Sequence, residues 1–372
     1  MPLKQLTSMD RPDGYLRRAR LVSLVGLAFL VAGGCPAAYA QSGESGAGKS
    51  TQAVAVEEQV GPARLKAGGD LSSDLQRLEL GAEVRELLPA PWFLAADGWG
   101  EHEGREPFNL RRWGGDLGIG RELDEQTQLL ARFRYDSSKV YGTGASGDPD
   151  FISLAGRTQV AALGLLLRHD ERDDPWYPTR GRRWKLGGEL ASKALGGDYH
   201  FGRLEGEASW YWTPWRDKPV SSLLQEVTLV EHLRGGWTED FSETEEVPFF
   251  ERYFAGGAST VRGYSSRWLT PRGGENEFVG GEVLLVNNFE ARVPVLADRF
   301  QRRLSVAAFF DVGRAYRRLS KVGDFGYGAG AGLRYVVHFW KVHGVARADY
   351  GFGLEREDPG TGQLHLSFGS VF

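Results

Sequence analysis

From Tyr327 to Val337 the chain alternates without a break: Tyr327, Ala329, Ala331, Leu333, Tyr335 and Val337 fall on one set of positions, Gly328, Gly330, Gly332, Arg334 and Val336 on the other. A period of two puts such sets on opposite faces of a β-strand. The pattern recurs at Leu304, Val306, Ala308, Phe310 and Val312, with Ser305 and Asp311 opposite, and at Leu364, Leu366, Phe368 and Phe372 at the end of the chain. Lipid outside and a polar lumen inside would produce this alternation. A sheet with one buried face in a soluble sandwich alternates too, so periodicity alone leaves that architecture open.

Beyond Ala40 no apolar run reaches the roughly 20 residues that a spanning helix needs, so any membrane crossing must use strands. Before Ala40, Arg17, Arg18 and Arg20 precede an apolar run from Leu21 to Ala32, and Ala38-Tyr39-Ala40 fits a small-residue cleavage site. Residues 1–40 are therefore predicted to be a secretory signal peptide; a lipidated Cys35 is the lesser alternative. Cys35 is the single cysteine, so the processed chain is expected to have no disulfide and no cysteine metal site. A net charge of −4 gives no basis for nucleic-acid binding, which needs a clustered basic surface.

Residues 41–73, rich in Gly, Ser, Ala and Glu, read as a flexible periplasmic leader. They contain GESGAGKS at 43–50, a match to the phosphate-loop pattern, but a cleavage site stands where the motif needs a strand, and the match is taken as coincidence. Residues 74–90 are a short linker, an amphipathic helix or an extra strand. From there, 91–372 are predicted to form a closed antiparallel transmembrane β-barrel of twelve strands, with 14–16 as the alternative, since single-chain bacterial barrels have even numbers. Short links at 124–125, 214–220, 297–302 and 338–340 alternate with long ones at 137–156, 235–280 and 355–362. That rhythm fits short periplasmic turns and longer outer loops. Trp210, Tyr211, Trp212 and Trp215 beside a short turn fit an aromatic girdle.

The run FFERYFAGGASTVRGY at 249–264 resembles the loop signature of the BamA/TamA family of bacterial surface antigens. YPTRG at 177–181, GGEVLLVNNFEARVP at 280–294, FFDVGRAY at 309–316, GAGAGLRY at 328–335 and LHLSFGSVF at 364–372 follow the family's order, so the resemblance covers about two-thirds of the chain. It implies that Arg262 folds back into the lumen to meet Glu290 and Asp311. Alternation supports both acids independently: Val283, Leu285, Phe289 and Val293 share one face of their strand, which leaves Glu290 on the other. An isolated surface arginine would be worth little. Gly256, Gly257 and Gly263 are expected to permit the tight backbone of a re-entering loop, with Tyr264 completing the signature, and Phe372 to serve as the C-terminal assembly signal or an interfacial anchor.

No nucleophile elbow or zinc helix occurs, and the chain is not expected to be an enzyme or to hold a cofactor or metal. HDERDD at 169–174 carries carboxylates but reads as a solvated turn. The resemblance implies a barrel that assists insertion or translocation of proteins or lipids at the outer membrane through a weak seam between its first and last strands. A passive pore or structural surface barrel that has lost that activity is the alternative, and a membrane phospholipase a distant third. The expected partners are outer-membrane lipid and lipopolysaccharide, the cell's barrel assembly machinery for the chain's own insertion, and a periplasmic docking protein acting in trans. The last enters because the segment after Ala40 is too short for the docking domains that family members carry.

Overall fold

The computed structural model describes residues 52–60, 63–71, 75–85, 87–105, 108–141, 156–241, 246–274, 277–297, 302–339, 342–355 and 362–369. Within them fifteen strands form one sheet in sequence order. These are β1 (Gln52–Val60), β2 (Ala63–Leu71), β3 (Leu75–Val84), β4 (Trp92–Arg105), β5 (Phe108–Glu122), β6 (Thr127–Tyr141), β7 (Gly156–Asp170) and β8 (Gly181–Ala191). There follow β9 (Phe201–Trp212), β10 (Thr228–Asp240), β11 (Val283–Ala297), β12 (Arg302–Tyr316), β13 (Gly326–Phe339), β14 (Val342–Gly353) and β15 (Gln363–Gly369). Each strand pairs antiparallel with its sequence neighbours.

The sheet curls until β1 and β15 lie side by side, with Cα atoms within 8 Å. Among the described residues no backbone ladder joins them, so the expected closure by hydrogen bonds is not found. Direction reverses at every step, and fifteen is odd; β1 and β15 therefore run the same way, and a ladder between them would be the only parallel one. Parallel pairing is slightly the weaker kind.

Twelve strands run from Trp92 onward, but three more precede them, so twelve is not the strand count of the sheet. β3 falls within residues 74–90. β1 and β2 occupy part of the segment expected to be a flexible leader: a two-residue link at 61–62 brings Val60 opposite Ala63 and the hairpin docks on β3. Strand formation there comes from pairing with a neighbour rather than from intrinsic preference, since Ala, Gly and Glu are poor strand formers. The expected signal peptide, Cys35 and the phosphate-loop match lie outside the described residues.

The strand ends joined by 123–126, 213–227, 298–301 and 340–341 share one end of the sheet with the β7–β8 turn, while those joined by 142–155, 241–282 and 354–362 share the other. The predicted short and long links thus sort to opposite ends.

Along the strands the faces are inverted relative to a water-soluble protein. On the convex side Leu117 is 68% exposed and Leu165 58%, with Leu163, Leu190, Leu204, Phe310, Leu333 and Tyr350 also exposed. On the concave side Arg292, Arg334 and Asp311 are 0% exposed. A sandwich would bury the leucines and expose the arginines; a band of apolar side chains around a charged interior needs lipid outside. Trp210, Trp212 and Trp215 face outward by the short-turn end, as a girdle would, whereas Tyr211 is buried on the lumen side.

Leu165→Arg tests the assignment of the outer face. In lipid it is expected to cost about 2–4 kcal/mol at mid-depth, read as reduced assembly and lost heat-modifiability on gels. A neutral effect, normal for an exposed residue in water, would contradict it.

Candidate functional site

The segment between β10 and β11, residues 241–282, does not stay outside. Its described part turns back into the lumen. Tyr253, Ala255, Val261, Tyr264 and Leu269 pack with Leu284 and Val286 of β11 and Ala315 of β12, while Val247 and Phe249 seat against β5 to β9 through Leu110, Val140, Val160 and Phe201. The loop is thereby held by apolar contacts on both sides of the lumen, and its charged side chains are carried to fixed points on the wall.

One such point is Arg262, 1% exposed. Its guanidinium grips Asp311 with both a bent and a terminal nitrogen, Nε to Oδ2 at 2.7 Å and Nη2 to Oδ1 at 2.7 Å, and its backbone N–H adds a third bond to Oδ2 at 2.9 Å. Nη1 reaches Glu290 Oε2 at 2.9 Å and Asp349 Oδ2 at 3.4 Å. Its guanidinium carbon lies over the Phe309 ring, 3.7 Å from the centroid. Only a planar fork with several donors makes these contacts together, which lysine could not reproduce. Arg334 also holds Glu290 and Asp349, and Arg292 Nε donates to Glu290 Oε1 at 2.8 Å. The expected contacts of Arg262 with Glu290 and Asp311 are thus present, and Asp349 on β14 joins them.

The backbone beside Arg262 needs equally close space. Gly263 has φ +93°, and a Cβ there would lie 2.4 Å from the carbonyl carbon of Phe352. Across the contact, a Cβ on Gly328 would meet the Arg262 carbonyl oxygen at 2.0 Å. Glycine on both sides lets the loop run against β13 and β14. Gly256 and Gly257, at φ +105° and +99°, form the preceding bend. The Gly263 N–H donates to His365 Nε2 at 3.2 Å, and the Tyr264 hydroxyl donates to the Tyr327 carbonyl at 2.9 Å. Phe372 lies outside the described residues.

A second anchor, unforeseen from the sequence, stands at Glu251, whose carboxylate is buried on the far side of the lumen. It accepts from Arg112, from Arg134 Nη2 at 3.1 Å and from Arg203 Nη2 at 2.6 Å. Asp136 and Glu189 complete the cluster through Arg112 and Arg134. The signal was in the sequence: ARFRYD at 131–136 puts Arg132, Arg134 and Asp136 on one face of β6, and Glu251 lies inside the quoted loop signature. What alternation cannot give is which distant strand a loop residue will meet. Farther along the loop, Arg267 Nη2 donates to Glu103 Oε2 of β4 at 2.8 Å.

The two anchors are opposite in sign. On the β11–β14 wall Arg292, Arg334 and Arg347 stand with Glu290, Asp311 and Asp349, and Arg262 of the loop is the cation that grips Asp311. On the β5–β9 wall Arg112, Arg132, Arg134 and Arg203 stand with Asp116, Asp136, Glu189 and Glu205, and Glu251 of the loop ties Arg112, Arg134 and Arg203 together. Buried charge is tolerated only when paired and hydrogen-bonded. The loop therefore brings one buried, paired charge to each wall, a cation to β11–β14 and an anion to β5–β9.

Breaking a buried pair by removing one partner costs about 3–5 kcal/mol. Arg262→Ala and Glu251→Gln are each expected to lower heat resistance. Because one loop bears both, the double variant is expected to lose less than the sum of the singles. Strict additivity in thermal unfolding of detergent-folded protein would show that the anchors act independently.

A family model described as the Omp85 superfamily domain matches residues 76–372. Among curated proteins, the outer membrane protein assembly factor BamA of Nitratidesulfovibrio vulgaris is 24% identical over 272 residues, covering 72% of this chain and 32% of that protein. BamA of Neisseria meningitidis serogroup B is 26% identical over 180 residues, or 45% of this chain and 21% of that one. The chain thus spans at most about a third of the curated relatives it matches. Among solved structures, BamA from Haemophilus ducreyi lacking POTRA domains 1–3 aligns with a TM-score of 0.64 at 17% identity, over 84% of this chain and 68% of that one. CdiB from Acinetobacter baumannii aligns with a TM-score of 0.53 at 13% identity, over 85% and 58%. With its exposed apolar band and BamA-like barrel, the chain is an outer-membrane protein and belongs to the Omp85 superfamily.

Proposed function

We propose that this chain assists the insertion or translocation of proteins or lipids at the outer membrane, working at the seam between β1 and β15. The observation that carries the reading is the combination of an adjacent but unladdered strand pair with a lumen filled by a loop tied to both walls. Ladder hydrogen bonds hold every other junction of the sheet; here they are absent among the described residues, which makes this the place of least resistance. The loop ties supply what the seam lacks. Arg267 reaches β4 on one side and Arg262 reaches β12 and β14 on the other, so the wall stays in register while its seam is free to part. The name of the curated relatives, outer membrane protein assembly factor, agrees with this kind of activity.

Its surroundings are outer-membrane lipid and lipopolysaccharide, and the cell's own barrel assembly machinery inserts it. A periplasmic docking protein in trans would hand over cargo. Arg262, Glu290 and Asp311 act as the loop lock, with Gly256, Gly257, Gly263 and Tyr264 shaping the loop and Phe372 serving as the terminal signal for assembly.

A passive pore is the second reading, favoured by a lumen cavity of about 1320 Å³ lined by Arg77, Asp97, Arg132, Lys185 and Arg234 among others. Two measurements separate the readings. Deleting the gene is expected to change the outer-membrane proteome, and the purified chain in a planar bilayer to stay mostly closed. Steady, solute-selective current with an unaltered proteome would establish the pore instead.

A further inference from the structure

The β7–β8 turn, residues 171–180, is built as a flap. Its base continues the hairpin, with the Glu171 N–H donating to the Arg182 carbonyl at 2.9 Å and the Asp173 N–H to the Arg180 carbonyl at 3.1 Å. Its tip is held from within. Asp174 Oδ1 accepts from the N–H groups of Trp176 and Tyr177 at 2.7 and 2.8 Å, and Asp173 accepts from the Thr179 N–H and hydroxyl at 2.9 and 2.6 Å. The acids of the HDERDD run therefore shape this turn, and Asp170 pairs with Arg172.

The tip does not hug its own strands. Tyr177, only 8% exposed, reaches over to the far wall, where its hydroxyl donates to Ser305 Oγ of β12 at 2.7 Å. Its ring packs on Val336 of β13 and Val345 of β14, and lies 5.5 Å from the guanidinium carbon of Arg292. To the side, Thr213 and Arg216 of the β9–β10 link bond to Thr179 at 3.1 and 3.0 Å. The turn thus lies across the short-turn mouth of the lumen, the periplasmic end in outer-membrane barrels. Trp176 and Pro175 line the floor of the cavity above it.

The long loop and this turn are thus both held in the lumen, but by unlike means. Clusters of buried ions fix the long loop; the Tyr177 tip is fixed to the far wall by one hydroxyl pair, apolar contact and the neighbouring Arg292. Neutral hydrogen bonds are exchanged for water at little net cost, whereas a buried ion stripped of its partner is not. We propose that the β7–β8 turn is the periplasmic gate of the lumen, a preformed flap whose Tyr177–Ser305 latch releases to admit an extended polypeptide segment while the loop stays locked above it. The gate rests on the assembly reading only for the nature of its guest.

The test uses the full chain with Cys35 replaced by serine and a single cysteine at Arg234→Cys, in the lumen cavity. It is placed in vesicles with the short-turn face outward, and the probe is a maleimide carried on a short Gly-Ser peptide. Labelling is expected to rise about fivefold in Tyr177→Phe, the release expected of one hydroxyl bond, and further in Tyr177→Ala. Parent-like labelling of both tyrosine variants, with heat-modifiability retained, overturns the gate. Should Tyr177→Ala not assemble, Ser305→Ala decides: faster labelling supports the latch and a parent-like rate overturns it. Because labelling reads lumen entry and not the proteome, its failure is distinct from failure of the assembly role.

Discussion

Charge that has no water must find charge, and in this chain the long loop between β10 and β11 is where it finds it. One lumen wall presents the buried carboxylate of Asp311 and the other the guanidinium groups of Arg112, Arg134 and Arg203, and such ions need opposite charge beside them in a partly dehydrated interior. Arg262 and Glu251, eleven residues apart on the same segment, answer both. The loop is thus part of the wall's electrostatics. Its apolar residues give it a seat and its glycines give it clearance, but the opposite signs of the two anchors dictate how it crosses the lumen.

That arrangement bears on what the sheet can do. A curled meander with an odd number of described strands brings two edges together that run in the same direction, so the seam has no antiparallel ladder to rest on. A strap inside the lumen that holds β4 on one flank of the seam and β12 to β14 on the other gives the wall its shape without sealing it. Strength and weakness are therefore separated in space: ion clusters in the interior, an unladdered junction at the rim.

Much of the fold was legible because the alternation has a fixed period. Once Val283, Leu285 and Phe289 are set outward, Glu290 must point in, and the same holds for Asp311 against Phe310. The loop signature then named the arginine that meets them. Asp349 was less visible: it lies on β14, where ARADYG mixes small, charged and aromatic residues, and one of its partners is a loop residue far away in sequence. Glu251 was hidden for the same reason, since register tells which way a residue faces and not what arrives to meet it. β1 and β2 escaped because their Ala, Gly and Glu content resembles a tail, and only pairing makes strands of them. Tyr177 sat in a recognised run, YPTRG, whose short length says nothing about how far its tip reaches.

Hydrogen exchange of the folded chain in lipid, followed peptide by peptide over residues 246–274, probes the anchored loop most directly. A segment docked on both walls exchanges as slowly as the neighbouring strands β11 and β12, because its amides open only when the lock does. Exchange at the rate of a free surface loop, with the strands still protected, would mean that the loop does not bridge the lumen.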